Sequence, residues 1–341
     1  MKIQGLARTL MPDTFFWLMM FVICMAFAFP QIGRPDGVLP ISIMTKCGII
    51  SIFFIYGASL DSSALKDGVR NWRLHVITQS ITFVIFPIVG VFLYFSAKFI
   101  LTPPLDLGFF FLAALPSTVS SSVALIGIAR GNVPAGVFNA TLSGLIGIFI
   151  TPLLIALVIS AEVGSFPIQD SIIQIALILL APFAAGQVFR PLLRSFIDRH
   201  RSFIRIFDRG VILLIIFSSF AASVNDGVWE QFSFYELIIT GLIVVFALAF
   251  VSTAAVFISR FMQLSREDEV VVMFCGATKS LVNGVPIAQV VFAHLPGVGL
   301  LLLPILLFHQ IQLIVFGIMA RHYAKENDKT FDYPDKDFKR N

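Results

Sequence analysis

The sequence contains few charged residues and few cysteines for its length. Only 13% of its 341 residues are charged and 57% are hydrophobic, whereas a soluble domain carries about 25% charged residues. This composition excludes a soluble globular protein, because a protein core could not bury so much apolar surface. The three cysteines lie in apolar runs without metal-ligand spacing, so a disulfide framework is not expected. With no His, Cys, Asp or Glu cluster, we expect neither an enzyme nor a cofactor.

Long apolar runs occupy most of the chain. A helix needs about 20 apolar residues to cross a hydrocarbon layer about 30 Å thick. The runs are continuous rather than alternating in polarity, which excludes a transmembrane β-barrel and predicts an all-α polytopic membrane protein. Ten spans are predicted, at residues 14–30, 41–60, 75–97, 107–129, 133–160, 170–189, 210–224, 234–258, 269–293 and 298–320.

The basic residues predict the orientation of these spans. With a cytoplasmic N-terminus, the inner segments contain 20 of the 24 Lys and Arg residues, as the positive-inside rule requires. We therefore expect both termini in the cytoplasm. A cleaved signal peptide is the alternative for the first span, because Lys2 and Arg8 precede an apolar run and residues 26–28 (Ala-Phe-Ala) resemble a cleavage site.

Ten spans divide into two halves of five. An odd number of spans per half requires the second half to be inverted relative to the first, a recurrent transporter design. The expected organisation is a cytoplasmic N-terminus at 1–13, a first repeat at 14–160, an inverted second repeat at 161–320, and a charged, solvated cytoplasmic tail at 321–341.

Spans four and nine, the fourth of each half, are interrupted by small and hydroxyl residues with Pro or Gly. Unwound backbone cannot face lipid, because each unpaired N–H or C=O costs several kcal/mol there. The alternative is that these residues only kink their helices, but two interruptions at matching places favour a binding site. The candidate substrate- or ion-binding residues are Thr118, Ser120, Ser121 and Ser122 in span four, and Thr278, Lys279, Ser280 and Asn283 in span nine.

Lys279 lies in the middle of the second interruption. An ionisable residue inside the membrane is costly and indicates function by default. No Asp or Glu lies in the middle of any span, so the expected partners are backbone carbonyls, hydroxyls or an anionic substrate. Lys46, the other lysine in a span, can reach the interface by snorkelling. Further candidates, each alone more often a helix–helix hydrogen bond, are Asn139, Ser143, Gln79, His309 and Gln312.

Short motifs over nearly the whole membrane region carry a family resemblance. They are Trp72-Arg73-Leu74-His75, Gly131-Asn132-Val133, Gly147-Ile148-Phe149, Phe274-Cys275-Gly276, Lys279-Ser280-Leu281, Asn283-Gly284-Val285-Pro286 and residues 308–313 (Phe-His-Gln-Ile-Gln-Leu). They resemble the bile acid:sodium symporter superfamily, most of all its SBF-like branch of YfeH-type bacterial proteins. The resemblance implies two inverted five-helix repeats, a core domain (spans three to five and eight to ten), a panel domain (spans one, two, six and seven), and broken helices four and nine that cross.

The chain departs from the sodium-coupled relatives at both crossing helices. Their span-four motif ends in Ser-Asn, where this chain has Ser121 and Ser122. Their span-nine motif is Glu-x-Gly-x-Gln-Asn, where Phe274 replaces the Glu and Lys279 the last Asn. Sodium contacts are therefore doubtful, and the candidates are Ser121, Ser122 and Gln79. We expect Lys279 to replace sodium in at least one site.

These features predict a secondary transporter of a small organic, anionic solute that works by alternating access in the cell (inner) membrane. The coupling ion, sodium or a proton, stays open. The alternative is a non-transporting membrane regulator with the same fold. The expected partners are the solute and the lipid bilayer, with no nucleic acid, and the oligomeric state is a monomer or homodimer.

Overall fold

The computed structural model describes residues 14–33, 40–60, 71–163, 176–293 and 295–331, and this part of the chain is helical without strands. The predicted N-terminal segment 1–13 and the last ten residues lie outside it. The helices are α1 (Thr14–Ala28), α2 (Ile41–Ser59), α3 (Trp72–Ser80), α4 (Phe86–Ala97), α5 (Leu105–Ala114), α6 (Ser120–Ile128), α7 (Val133–Val163), α8 (Ala181–Arg199), α9 (Arg201–Asn225), α10 (Phe234–Phe261), α11 (Arg266–Ala277), α12 (Leu281–Val291), α13 (Val298–Leu301) and α14 (Leu303–Phe331). A π-helical turn, Ile81–Ile85, joins α3 to α4.

Seven helices within the described ranges are long and apolar enough to cross a membrane. The sequence predicts ten spans, and the difference has local causes. Helix α1 has only 15 residues. Helix α5 has ten and α6 has nine, because span four is interrupted between them. Helix α9 has 25 residues, begins in a charged segment that contains Arg201, Arg205, Asp208 and Arg209, and is not among the seven. The all-helical membrane architecture is confirmed; the ten-span inverted repeat stays a prediction.

Helices α1, α2, α8 and α9 form a first helix group, in which α2 packs along α8 and α1 along α9. Two glycines allow the closest approach. A Cβ built on Gly57 would lie 2.0 Å from the carbonyl oxygen of Phe183, and one on Gly186 would lie 2.0 Å from that of Phe54. Small residues at such crossings let membrane helices pack backbone to backbone.

Helices α3 to α7 and α10 to α14 form a second helix group around the interrupted helix pair α11–α12. In an apolar 18-residue stretch of the span Arg266–Val291, 89% is buried inside the protein, and α11 packs against α3, α6, α7 and α10. An apolar helix shielded on all sides does not face lipid, so its interruption can be satisfied only by other protein groups.

The two groups meet most extensively where α9 packs against α12 and α13. The hydroxyl of Ser219 donates to Gln289 Oε1 at 2.8 Å, and the N–H of Gly299 donates to Ser223 Oγ at 2.7 Å. A Cβ on Gly299 would lie 2.9 Å from the carbonyl oxygen of Ser219. This end of α9 is therefore in close contact with the second group.

The C-terminal helix is longer than the sequence predicts. A solvated tail is expected from residue 321, but α14 continues through Phe331. Tyr323, only 5% exposed, explains part of the difference, because its hydroxyl donates to the buried Glu269 at 2.9 Å. Arg266 lies 4.2 Å from the centre of the Tyr323 ring. These contacts extend the ordered helix beyond its apolar segment.

Candidate functional site

The interruptions of the two broken helices lie against each other. Helix α5 ends at Ala114 because Pro116 lacks an N–H and forces the preceding residue out of the helical region, so that Leu115 is extended with ψ 152°. The second break separates α11 from α12, and Ser280 caps α12 by accepting from the Asn283 N–H at 3.2 Å. The N–H of Ser280 donates to the Pro116 carbonyl at 2.9 Å. One unwound segment thus pairs with the other.

Lys279 is fully buried beside this pairing, at 0% exposure. Its ammonium donates to the carbonyls of Ala113 and Leu115, both at 2.7 Å, and of Thr82 at 3.0 Å. The ring of Phe86 lies 4.2 Å from Nζ, within cation–π range. We call these three carbonyls and the Phe86 ring the ammonium cage. An ammonium group has three donors, and the cage provides three acceptors.

The ammonium cage lies at the carboxyl end of a helix. The carbonyls of Ala113 and Leu115 belong to the end of α5, where the helix dipole is negative and the last carbonyls lack helical partners. A cation in this position is stabilised by the dipole as well as by its hydrogen bonds. A cluster of carbonyl oxygens is also the ligand type that a hard metal cation prefers, so the cage can hold the protein's own cation where an ion could otherwise bind.

Gln312 holds the backbone of Lys279 in the unwound conformation. Its Oε1 accepts from the Lys279 N–H at 2.9 Å, and its Nε2 donates to the Lys279 carbonyl at 3.0 Å. Nε2 also lies 3.0 Å from His309 Nδ1. Because both hydrogens of an amide nitrogen are donated, Nδ1 is the acceptor there. The Gln312 amide therefore replaces the helical hydrogen bonds that the interruption removes.

A cluster of hydroxyl groups fills the other side of the crossing. Thr278 Oγ1 lies at its centre, 2.8 Å from Ser117 Oγ and 2.7 Å from Ser122 Oγ. Thr118 Oγ1 lies 2.8 Å from Ser122 Oγ and accepts from Ser121 at 2.5 Å. We call these five residues the hydroxyl cluster. Its groups are neutral, so it can solvate a polar group or a small cation but cannot neutralise a cation's charge.

Asn139 and Gln79 form a separate polar cluster between α7 and α3. Gln79 Nε2 donates to the Asn139 carbonyl at 3.0 Å, and Asn139 Nδ2 lies 2.9 Å from His75 Nδ1. The buried Gln79 Oε1 has no hydrogen-bond partner. Gln79 is hydrogen-bonded to Asn139, whereas Ser121 and Ser122 belong to the hydroxyl cluster. The three candidate sodium contacts therefore lie in two different clusters.

The remaining candidates occupy different positions around the crossing. Ser143 Oγ accepts from the Ser117 N–H at 2.9 Å and so belongs beside the hydroxyl cluster. Ser120 is exposed at the start of α6, and Asn283 is half-buried in the first turn of α12. The candidate list lacks Ser117, Thr82 and the acceptor carbonyls. Ser117 could have been found, because it lies in the same run of hydroxyl residues as Thr118 and Ser120. The acceptor carbonyls could not, because every residue has a backbone carbonyl.

Comparison with known proteins assigns the family. The model of the SBF-like CPA transporter family matches residues 13–325. The chain belongs to the SBF-like CPA transporter family. Its relatives include YfeH of Escherichia coli (strain K12), named as a proposed symporter, which is 35% identical over 317 residues, 93% of this chain and 94% of the relative. The protein named sodium/bile acid cotransporter 7 of Danio rerio is 30% identical over 319 residues, 93% and 95% of the two chains.

A further relative is the uncharacterized protein PA2026 of Pseudomonas aeruginosa. It is 40% identical over 320 residues, which cover 93% of this chain and 95% of the relative. Membership of the SBF-like family confirms the resemblance inferred from the motifs. It also makes this chain a multi-pass membrane protein of a transporter family rather than an enzyme family. Within the described ranges, no group of three or more His, Cys, Asp and Glu side chains could hold a metal ion.

Proposed function

We propose that this protein is a secondary transporter that moves a small organic solute by alternating access. The observation that carries the proposal is the direct pairing of the two helix interruptions, in which Ser280 N–H donates to the Pro116 carbonyl at 2.9 Å. Paired half-helices near the membrane centre are a recurrent transporter design, because unwound backbone is tolerated only against protein or a watery cavity. Membership of a transporter family supports the same function.

The proposed topology is ten spans in two inverted five-helix repeats. The protein would lie in the cell (inner) membrane with both termini in the cytoplasm. Two observations support it. The interruptions follow α5 and α11, which lie in the segments predicted as spans four and nine. The distribution of Lys and Arg favours the same orientation. The first helix group then corresponds to a panel domain and the second to a core domain.

The proposed state is closed on the outer side. In this topology Ser219 and Ser223 lie on the outer half of α9, and their hydrogen bonds to Gln289 and Gly299 join panel to core. Alternating access would separate the outer contacts and bring the inner surfaces together.

The proposed role of Lys279 is to replace a coupling cation. Its ammonium fills the ammonium cage at distances of 2.7 to 3.0 Å, and the carboxylate of the sodium-coupled motif is replaced by Phe274. Transport then does not require sodium, and a proton is the remaining coupling ion. Because the ammonium is enclosed, it does not itself supply a charge for the solute. An organic anion is instead suggested by the relatives named for bile acid cotransport.

Uptake by purified protein in liposomes tests the function. A thermal-shift screen with organic anions first identifies a ligand, since binding stabilises the folded state by RT ln(1 + [L]/Kd). Uptake of that ligand is then measured with sodium and with potassium at equal ionic strength. Saturable uptake that is equal in both salts supports the proposal. Stabilisation without any flux would favour the non-transporting regulator, and a strict sodium requirement would refute the role of Lys279.

A further inference from the structure

A third interrupted helix reaches the ammonium cage. The π-helical turn Ile81–Ile85 separates α3 from α4, and at its end the N–H of Phe86 donates to the carbonyl of Ile81. In a regular α-helix that N–H would donate to the carbonyl four residues earlier, which is that of Thr82. The next residue, whose N–H would reach Thr82 in the π-helical register, is Pro87, which has no N–H. The Thr82 carbonyl therefore lacks both of these helical donors.

Lys279 supplies the donor that the helix withholds. Thr82 is fully buried, and its carbonyl accepts from Lys279 Nζ at 3.0 Å. A buried carbonyl without any donor would cost free energy, so the ammonium satisfies a group that the local backbone leaves open. The same turn ends at Phe86, whose ring lies 4.2 Å from Nζ. This third interruption thus provides one carbonyl and the aromatic ring of the ammonium cage.

The number of acceptors in the ammonium cage distinguishes the two protonation forms of a lysine side chain. A neutral amine has two N–H donors and a lone pair, whereas an ammonium has three donors and no lone pair. The carbonyls of Ala113 and Leu115, both 2.7 Å from Nζ, would satisfy both donors of an amine. The Thr82 carbonyl would then face the lone pair, which is repulsive, but it can accept the third proton of an ammonium. The third acceptor is therefore the group that selects the charged form.

We propose that Pro87 is a positioning residue for the charged form of Lys279, because by withholding an N–H it keeps the Thr82 carbonyl free to accept from the ammonium. The inference deepens the proposed role of Lys279 as a replacement for a cation, and its functional meaning rests on that role. Only the ammonium carries the charge that a bound cation would carry. The alternative is that Pro87 only bends the helix between α3 and α4, which is a usual effect of proline and of a π-turn.

Hydrogen exchange at the Lys279 ammonium tests this role. In NMR spectra of the detergent-purified, ¹⁵N-lysine-labelled protein at neutral pH, we expect one slowly exchanging ammonium signal that Lys279→Ala removes, because its protons reach water only when the cage opens. In Pro87→Ala the restored N–H competes for the Thr82 carbonyl. Exchange should then be about tenfold faster, the equivalent of about 1.4 kcal/mol and the scale of one hydrogen bond to a charged group. Pro87→Val should have the same effect, since it also restores the N–H and leaves no empty space.

Gln312 provides the control for a general loosening of the crossing. Its Nε2 donates to the Lys279 carbonyl from α14, so a mere change of helix bend would speed exchange at Gln312 Nε2 and at the ammonium alike. In ¹⁵N-glutamine-labelled protein we expect the Gln312 rate to stay unchanged. Pro191→Ala, the same substitution inside α8 of the first helix group, should leave both rates unchanged.

Three outcomes would overturn the role of Pro87. They are an unchanged ammonium rate in a folded Pro87 variant, an equal acceleration at Gln312, and the absence of a protected ammonium signal from the wild type. The assay does not measure flux, so a failure of transport does not affect its outcome.

Discussion

Replacement of Lys279 by alanine should turn a sodium-indifferent protein into one that sodium stabilises. The variant removes the ammonium and leaves the carbonyls of Thr82, Ala113 and Leu115 around an empty space. These oxygens are suitable ligands for a hard cation, and no side-chain cation would then compete for them. Sodium should therefore bind the variant and leave the wild type unaffected.

The magnitude follows from opposing terms. Three carbonyls without partners cost about 1–3 kcal/mol each, and relief of the buried ammonium returns several kcal/mol, so these two terms largely cancel. Loss of three buried methylenes, at about 0.8 kcal/mol each, leaves a net destabilisation of about 2 kcal/mol. If sodium binds with a Kd near 10 mM, 100 mM sodium should restore about 1.4 kcal/mol.

The assay is thermal unfolding of the purified protein in sodium and in potassium at equal ionic strength. Lys46→Ala is the matched control, because Lys46 is an exposed lysine of α2, and its Tm should be the same in both salts. The variant's Tm should be higher in sodium by about 2 °C or more. The reasoning is refuted if sodium stabilises the wild type, or if Lys279→Ala shows no difference between the salts.

Three further variants test the packing and the helix interruptions. Gln312→Leu should lower the Tm, since the Lys279 N–H and carbonyl each lose a buried partner at about 1–3 kcal/mol; an unchanged Tm would show that Gln312 does not support the interruption. Gly186→Ala should destabilise by about 1–3 kcal/mol because its Cβ would lie 2.0 Å from the Phe54 carbonyl oxygen, whereas Gly210→Ala, with nothing within 4 Å, should not. Thr278→Val keeps the side-chain shape and removes the central hydroxyl of the hydroxyl cluster. The free energy of unfolding, measured by denaturation, should therefore fall by about 1 kcal/mol. Solute affinity should fall only if the hydroxyl cluster contacts the solute.

The sequence predicts the helix interruptions and the position of a lysine inside one of them because both have local signals. A run of hydroxyl and small residues inside an apolar span is visible without a structure, as is a lysine without a carboxylate nearby. The partners of Lys279 are not visible. They are backbone carbonyls, which every residue carries, and that of Thr82 is 197 residues away in the chain.

Other differences also arise from long-range contacts. The hydrogen-bond partner of Gln79 is Asn139, which is 60 residues away in the chain. The sequence does not predict which residues of α3 lie beside which residues of α7. Helix α14 continues beyond its apolar segment because the Tyr323 hydroxyl donates a hydrogen bond to Glu269, which is 54 residues away in the chain. The three spans that do not meet the criteria of length and apolarity are short, interrupted or charged at their start. Hydropathy thus predicts the helical segments better than it predicts their lengths.

A cation that is covalently part of the protein has an energetic consequence for any solute that the protein carries. A bound sodium ion crosses the membrane with its solute and dissipates its own gradient, but the ammonium of Lys279 returns in every cycle and contributes no such energy. A monovalent anion carried without a compensating ion would move one net charge per cycle. An inside-negative potential of 100 mV then favours its outward movement by about 2.3 kcal/mol, roughly a fiftyfold ratio of concentrations. If no proton crossed with the anion, the electrical force alone would favour export by this protein; with one proton per anion, the cycle would be electrically neutral.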